Sequence, residues 1–214
     1  LSDWSSDVCS TDLSILLMSA GARSMPYAIS LRSLQRELIR RDSDWENGEY
    51  QGDGPVTGMR LARKLGMITY RSAEEWDQRF GRERVPEERK SGDCFALDFE
   101  VESYLEAHAN KFTGQFDPNC YLYLSRASDI FDIAEHGGSV EAGLARMNAE
   151  RVLVIGVSTD LLFPLHQQRE IADGLRQSSG EVEFLELASI QGHDSFLVDM
   201  DRFRPPVYEF LAKD

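Results

Sequence analysis

The sequence is poor in cysteine and in positive charge. Its three cysteines, Cys9, Cys94 and Cys120, are an odd number without close pairing and do not make a disulfide framework. No Cys-x-x-Cys or His-x-x-x-His spacing indicates a metal site. Lysine and arginine number 23 against 37 aspartates and glutamates, so a net charge of −14 leaves no basic face for nucleic acid. We therefore expect neither a metal nor a nucleic-acid partner.

The sequence also lacks a long hydrophobic segment. No apolar run approaches the roughly 18 residues that a membrane-spanning helix needs. We expect a cytoplasmic protein that does not associate with a membrane. Apolar residues still make up 42% of the 214 residues, which is enough for a sizeable core in one domain with an insertion.

The C-terminal third carries a strand, a helix and a second strand. Residues 151–160 form a short apolar run rich in β-branched residues that ends in Asp160. This run predicts a buried parallel strand that brings Asp160 to the carboxyl edge of a sheet, where α/β proteins keep their sites. A helix at 165–177 and a strand at 182–187 follow, before His193 on a glycine-flanked loop. α/β-hydrolases present the last two members of a Ser-Asp-His triad in this order.

Both residues have an ordinary structural alternative. Asp160 could cap a helix that begins after Pro164, and His193 could be an unremarkable loop histidine. The position of Asp160 at the end of a strand, and the helix and strand between the two residues, favour the triad.

The helical periodicity of the remaining chain predicts several more elements. Ser72 is the expected N-cap of one helix, with Glu75 completing a capping box. The last helix is expected to start from Arg204-Pro205-Pro206. The predicted elements are a strand at 15–19 and helices at 27–41, 57–70, 72–80, 95–112, 119–135, 139–147 and 207–211.

An ordered set of motifs runs from about residue 15 to the end. The motifs occupy residues 19–23, 61–70, 79–82, 111–112, 119–124, 158–164, 167–168 and 192–197. A Gly-His-Asp motif by itself would be weak evidence for a family relationship. The complete set resembles the homoserine O-acetyltransferase family, which includes branches that use serine, or succinyl-CoA in place of acetyl-CoA.

The resemblance implies an α/β fold, namely the C-terminal part of an α/β-hydrolase fold with parallel strands, flanking helices and an inserted helical cap. Residues 15–26 and 137–214 would form the partial hydrolase core. Residues 27–136 would form the cap, which in this family also builds a homodimer. Residues 1–14 match nothing in the family and look like a non-native leader, although a native, poorly ordered tail is the alternative.

The resemblance also implies roles for four residues. Asp160 and His193 would be catalytic. Asp194 would bind the amino group of an amino-acid acceptor, or else act as a helix N-cap for residues 195–198. Arg63 would hold the carboxylate of the acceptor through two parallel hydrogen bonds, or else be a solvated helix charge.

The nucleophilic serine is missing from this sequence. No Gly-x-Ser-x-Gly motif occurs, and the nearest match, residues 156–160, ends in an aspartate and already belongs to the Asp-bearing strand. We expect the serine to lie upstream, in a longer enzyme of which this chain is the C-terminal part. The chain alone would then be inactive.

The function implied by the resemblance is an O-acyltransferase of methionine or cysteine biosynthesis. It would move an acyl group from acetyl-CoA or succinyl-CoA to the hydroxyl of L-homoserine or L-serine by a ping-pong mechanism, with no permanently bound cofactor. Residues 119–122 and 190–192 favour the succinyl-transfer branch. Two alternatives stay open: an esterase that uses water as the acceptor, and a non-catalytic fragment that acts only as a helical dimerisation unit.

Overall fold

A computed structural model of the chain describes residues 14–212. The contacts within it divide the chain into two compact units. The first unit comprises residues 14–24 and 131–212, and the second is Met25–Ile130. Each unit has a hydrophobic core of its own. The predicted role of residues 27–136 as a cap and dimer surface stays a prediction.

Three strands form a parallel sheet in the first unit. They are β1 (Ser14–Met18), β2 (Arg151–Val157) and β3 (Glu181–Leu187), arranged in the order β1-β2-β3. The three predicted strands are confirmed, and β1 and β3 each begin one residue earlier than expected. The predicted leader at 1–14 lies outside the described residues except for Ser14, which belongs to β1.

The sheet is flanked by helices, and helices also make up the second unit. The helices are α1 (Pro26–Arg40), α2 (Val56–Tyr70), α3 (Ala73–Phe80), α4 (Glu100–Phe112), α5 (Pro118–Ile130), α6 (Val140–Leu144), α7 (Leu165–Leu175), α8 (Ser195–Val198) and α9 (Met200–Ala212). Short 3-10 turns occur at Ser43–Gly48, Glu87–Arg89, Ile133–His136 and Gly192–Asp194.

Strand β2 is the centre of the first unit because both of its faces are covered. Val152 and Val154 pack with side chains of α6 and α7 in one apolar cluster. Leu153 and Ile155 pack on the other face against α9. Successive side chains of a strand point to opposite faces of the sheet, so a strand buried on both sides reads as a continuous hydrophobic run.

In the second unit, α1 packs closely against α2. Ile39 and Ala62 are fully buried in a shared apolar cluster. Gly58 allows the close approach, since a Cβ atom there would lie 2.6 Å from the carbonyl oxygen of Leu38. The buried amide of Gln35 donates to the carbonyl of Ala62 at 3.1 Å, so the helix pair is held by polar as well as apolar contacts.

The N-cap predicted at Ser72 is confirmed, but several helix predictions further along the chain were too long, including the one at 139–147, which ends at Leu144. The Ser72 hydroxyl accepts the amide N–H of Glu75 at 3.1 Å.

Helix α4 begins at Glu100 rather than at residue 95, because the Glu102 carboxylate accepts the amides of residues 98 and 99 and closes the first turn there. The helix predicted at 119–135 ends at Ile130, and Asp132 then starts a separate 3-10 turn by accepting the amide of residue 134.

The prediction for the last helix was also wrong at its start. Helix α9 begins at Met200 and contains Pro205 and Pro206, which were expected to precede it. Phe203 and Phe210 lie about two turns apart on one face of α9, and both are buried against β2. We attribute the helical conformation across the prolines to this burial, which offsets the backbone hydrogen bonds that the prolines cannot donate.

Among residues 14–212, no helix combines the length and the apolar character needed to cross a membrane.

We expect Leu153→Ala to lower the free energy of unfolding of the first unit by about 2–5 kcal/mol, because it leaves a cavity beside β2. Leu211→Ala is the matched control, because Leu211 is 61% exposed and its truncation should change stability by less than about 0.5 kcal/mol. Urea unfolding of the two variants measures the difference. Equal stabilities would contradict the central position of β2.

Candidate active site

Asp160 lies on the turn that follows β2, and its carboxylate is fully buried. One carboxylate oxygen, Oδ1, accepts the amide N–H groups of Leu162 and Phe163, each at 2.9 Å. Backbone amides that donate to a carboxylate stabilise its negative charge away from water. The second oxygen, Oδ2, is therefore the one that can serve another side chain.

His193 provides that side chain. It sits on the 3-10 turn Gly192–Asp194 beyond β3, and its Nδ1 atom lies 3.0 Å from Oδ2 of Asp160. The two side chains therefore lie within hydrogen-bond distance of each other, as predicted. The imidazole is 18% exposed whereas the carboxylate is 0% exposed, so the pair presents its histidine toward solvent. The catalytic role of the pair stays a prediction.

The helix-cap alternative for Asp160 is wrong. Helix α7 has Pro164 at its N-cap position and no side-chain capping bond, while the Asp160 carboxylate serves residues 162 and 163. Asp194 occupies the N-cap position of α8, as the alternative predicted. Its side chain makes no capping hydrogen bond, so the capping role itself is wrong.

Two aromatic rings that we had not predicted as site residues flank the histidine. The ring centroid of Phe163 lies 5.4 Å from that of His193, and the Phe196 centroid lies 5.9 Å away in an edge-on arrangement. Gln168, which is fully buried, donates to the carbonyl of Phe163 at 2.6 Å. Phe163, Gln168 and Phe196 all belong to the family motifs, and this was the only sequence signal available for them.

Arg63 lies on α2 in the second unit. Its guanidinium carbon is 4.7 Å from the ring centroid of Phe112, and its Nε atom is buried without a hydrogen-bond partner among residues 14–212. The neighbouring cations Arg60 and Lys64 both pair with Glu106. Arg63 has no carboxylate partner in the described part of the chain, and its buried Nε means that the side chain is only partly solvated.

The surroundings of Arg63 include the partly buried phenol of Tyr121. Burial raises the pKa of Tyr121, the neighbouring Tyr70 raises it further, and Arg63 lowers it. The net direction is upward, so the Tyr121 hydroxyl remains protonated and able to donate a hydrogen bond at neutral pH. Arg63 and Asp194 belong to different units, and their predicted juxtaposition at an acceptor site stays a prediction.

The described residues contain no metal centre. Nowhere in 14–212 do three or more His, Cys, Asp or Glu side chains come together in a way that could hold a metal ion.

Comparison with solved structures defines the class. The chain is similar to a homoserine O-acetyltransferase from Bacillus anthracis, with a TM-score of 0.81 and 23% identity over 94% of this chain and 53% of that one. It is also similar to esterase E22, with a TM-score of 0.75 and 22% identity over 93% of this chain and 54% of that one. These likenesses show an α/β-hydrolase fold. No protein-family model matches the sequence.

Sequence relatives define the family. A serine O-succinyltransferase of Litchfieldella anticariensis is 56% identical over 200 residues, which are 92% of this chain and 54% of the relative. One from Stenotrophomonas maltophilia is 56% identical over 196 residues, or 91% of this chain and 53% of the relative. The chain belongs to the homoserine O-acetyltransferase family with its serine O-succinyltransferase branch, as the sequence motifs indicated. It spans about half the length of these curated relatives.

The Asp160–His193 contact predicts the tautomer of the imidazole. An ionised carboxylate only accepts hydrogen bonds, so Nδ1 of His193 must carry the proton in this contact. ¹⁵N NMR of the imidazole groups should show the Nδ1–H form as the major neutral tautomer of His193. Asp160→Asn should abolish this preference, because its amide can also donate.

His166→Gln serves as the control for this measurement, since it removes a different imidazole resonance. A neutral His193 that carries its proton mainly on Nε2, unchanged in Asp160→Asn, would contradict the pairing.

Proposed function

We propose that the chain supplies the aspartate and histidine of a Ser-Asp-His acyl-transfer site. The observation that carries the proposal is the 3.0 Å contact between Nδ1 of His193 and Oδ2 of a fully buried Asp160. In such a pair the carboxylate fixes the imidazole tautomer and stabilises the imidazolium, and Nε2 exchanges protons with the reacting hydroxyl groups.

The proposed reaction is acyl transfer from an acyl-CoA to the hydroxyl of L-serine or L-homoserine. Succinyl-CoA and L-serine are the first candidates, because relatives named serine O-succinyltransferase share 56% identity with this chain. Acetyl-CoA and L-homoserine are the second candidates, supported by the likeness to a homoserine O-acetyltransferase from Staphylococcus aureus at 26% identity and a TM-score of 0.67. A place in sulfur amino-acid biosynthesis, a cytoplasmic location and a homodimer through the second unit belong to the same proposal.

The chemistry follows two balanced half-reactions. A serine oxygen attacks the thioester carbonyl while His193 takes the serine proton, and CoA then leaves as a thiol with that proton. The hydroxyl of the acceptor next gives its proton to His193 and attacks the acyl-serine, and the serine leaves with the proton. The attacking serine would lie outside this sequence, which contains no Gly-x-Ser-x-Gly motif.

The proposed acceptor site uses one cation and one anion. Arg63 would bind the carboxylate of the amino acid, and Asp194 would bind its amine. The buried Nε of Arg63, which has no hydrogen-bond partner among residues 14–212, supports this assignment, because a buried donor without a partner is costly and a bound carboxylate would supply that partner. The same feature favours transfer to an amino acid over the esterase alternative, in which the acceptor is water.

The first test uses a fusion of residues 15–214 to the part of the Stenotrophomonas maltophilia relative that this chain does not match. The fusion should release thiol from succinyl-CoA when L-serine is supplied, and His193→Ala should reduce the rate by at least about 10³-fold. His166→Ala should leave the rate unchanged. A fully active His193→Ala fusion would reject the proposal.

The 214-residue chain alone should release no thiol from either acyl-CoA. Turnover by the chain alone that is lost in His193→Ala would place a nucleophile within this sequence, and Ser158 would be the first residue to replace.

The second test separates acceptor binding from acyl-enzyme formation. In the fusion, Arg63→Ala should raise the KM for L-serine by about 10- to 100-fold, since it removes a charged hydrogen-bond donor from a carboxylate. The first burst of thiol release should stay near its original amplitude. Arg204→Ala removes an exposed arginine of α9 and is the matched control. An unchanged KM in Arg63→Ala would overturn the acceptor assignment.

A further inference from the structure

One threonine links the two segments that carry the candidate catalytic pair. Thr159 directly precedes Asp160 on the turn after β2. Its hydroxyl donates to the carbonyl of Ser189 at 2.6 Å and accepts the amide N–H of Gly192 at 3.1 Å. A hydroxyl has one proton to donate, so a single side chain both donates to and accepts from the loop that holds His193.

The contact with Thr159 also provides the hydrogen-bond acceptor for the amide of Gly192. The φ angle of this glycine is +70°, in the left-handed region that glycine adopts most readily, and the residue is buried. A buried amide N–H without a partner would be costly, and Thr159 provides the partner. The carbonyl of Gly192 in turn accepts the hydroxyl of the fully buried Ser195 at 2.6 Å. Gly192 is therefore held at both its amide and its carbonyl, immediately before His193.

The beginning of the same loop is held by a second hydroxyl. Ser189, which is 1% exposed, donates to Oδ2 of Asp199 at 2.6 Å and accepts the amide of Gln191 at 3.3 Å. Arg202 pairs with the same Asp199 carboxylate at 3.0 Å. This anchor fixes the loop to the start of α9, and the carbonyl oxygen of the same Ser189 provides a link to the turn that bears Asp160. The donor in that link is Thr159.

We propose that Thr159 is a positioning residue for His193. By holding Gly192 against the turn that carries Asp160, its hydroxyl sets the distance between Nδ1 of His193 and Oδ2 of Asp160. A displacement of about 1 Å would take this contact beyond hydrogen-bond range. The consequence for catalysis rests on the proposed function, whereas the consequence for the Asp160–His193 contact does not.

The test compares Thr159→Val with Thr159→Ser. Valine keeps the shape of the side chain and removes both hydrogen bonds, whereas serine keeps the hydroxyl. The first readout is the exchange of the His193 Nδ1 proton with water, measured by NMR on the 214-residue chain. Thr159→Val should exchange this proton at least about 10-fold faster because the bond to Asp160 opens more often, and Thr159→Ser should remain within about 3-fold of the original chain.

The second readout is the rate of the fusion enzyme. Thr159→Val should lower kcat by about 10- to 100-fold while the KM values for acyl-CoA and acceptor change little, because misplacement of the base affects the chemical step. Thr159→Ser should restore most of kcat. Thr113→Val is the matched control, since it removes a hydroxyl that donates only to a nearby carbonyl in the second unit.

Unchanged proton exchange and unchanged kcat in a folded Thr159→Val would overturn the inference. If Thr159→Val does not fold, Thr159→Cys replaces it, because the thiol keeps the size and forms only weak hydrogen bonds. If every fusion is inactive, the proposed function fails, and the NMR experiment alone decides the role of Thr159.

Discussion

The hydrogen bond between Asp160 and His193 places the strictest demand on the backbone around the candidate site. A fully buried carboxylate must find donors for both of its oxygens, and two backbone amides with one imidazole supply them here. The amides come from the turn after β2, and the imidazole comes from the loop after β3. The backbone on both sides must therefore be placed to within a few tenths of an ångström for this single interaction to form.

The parallel sheet provides most of that placement. Val157 and Leu187 are register partners at the ends of β2 and β3, so the two segments that follow leave the sheet at the same edge. A shift of β2 by one residue would exchange the side chains that pack against α6 and α7 with those that pack against α9, so the shapes of both clusters favour this register. The hydroxyl of Thr159 then fastens the His193 loop to the turn after β2. Core packing thus sets the coarse position of the pair, and buried polar contacts set the fine position.

The sequence predicted the features that are encoded locally. The apolar run at β2, the aspartate after it and the Gly-His-Asp loop could each be read from neighbouring residues, and the fold of the first unit followed from their order. The start of α9 was mispredicted because distant burial of Phe203 and Phe210 outweighs the local effect of two prolines. The buried Nε atom of Arg63, unpartnered within residues 14–212, and the hydrogen bonds of Thr159 were not predicted, because both depend on residues far away in the sequence.

A double-mutant cycle in the fusion enzyme tests most directly whether Asp160 and His193 act as one catalytic unit. The cycle compares kcat/KM for the fusion, Asp160→Ala, His193→Ala and the double variant. If the aspartate acts through the histidine, the double variant should be no slower than His193→Ala by more than a few-fold. Independent, multiplicative losses would contradict the account, because they would mean that the 3.0 Å contact has no part in catalysis.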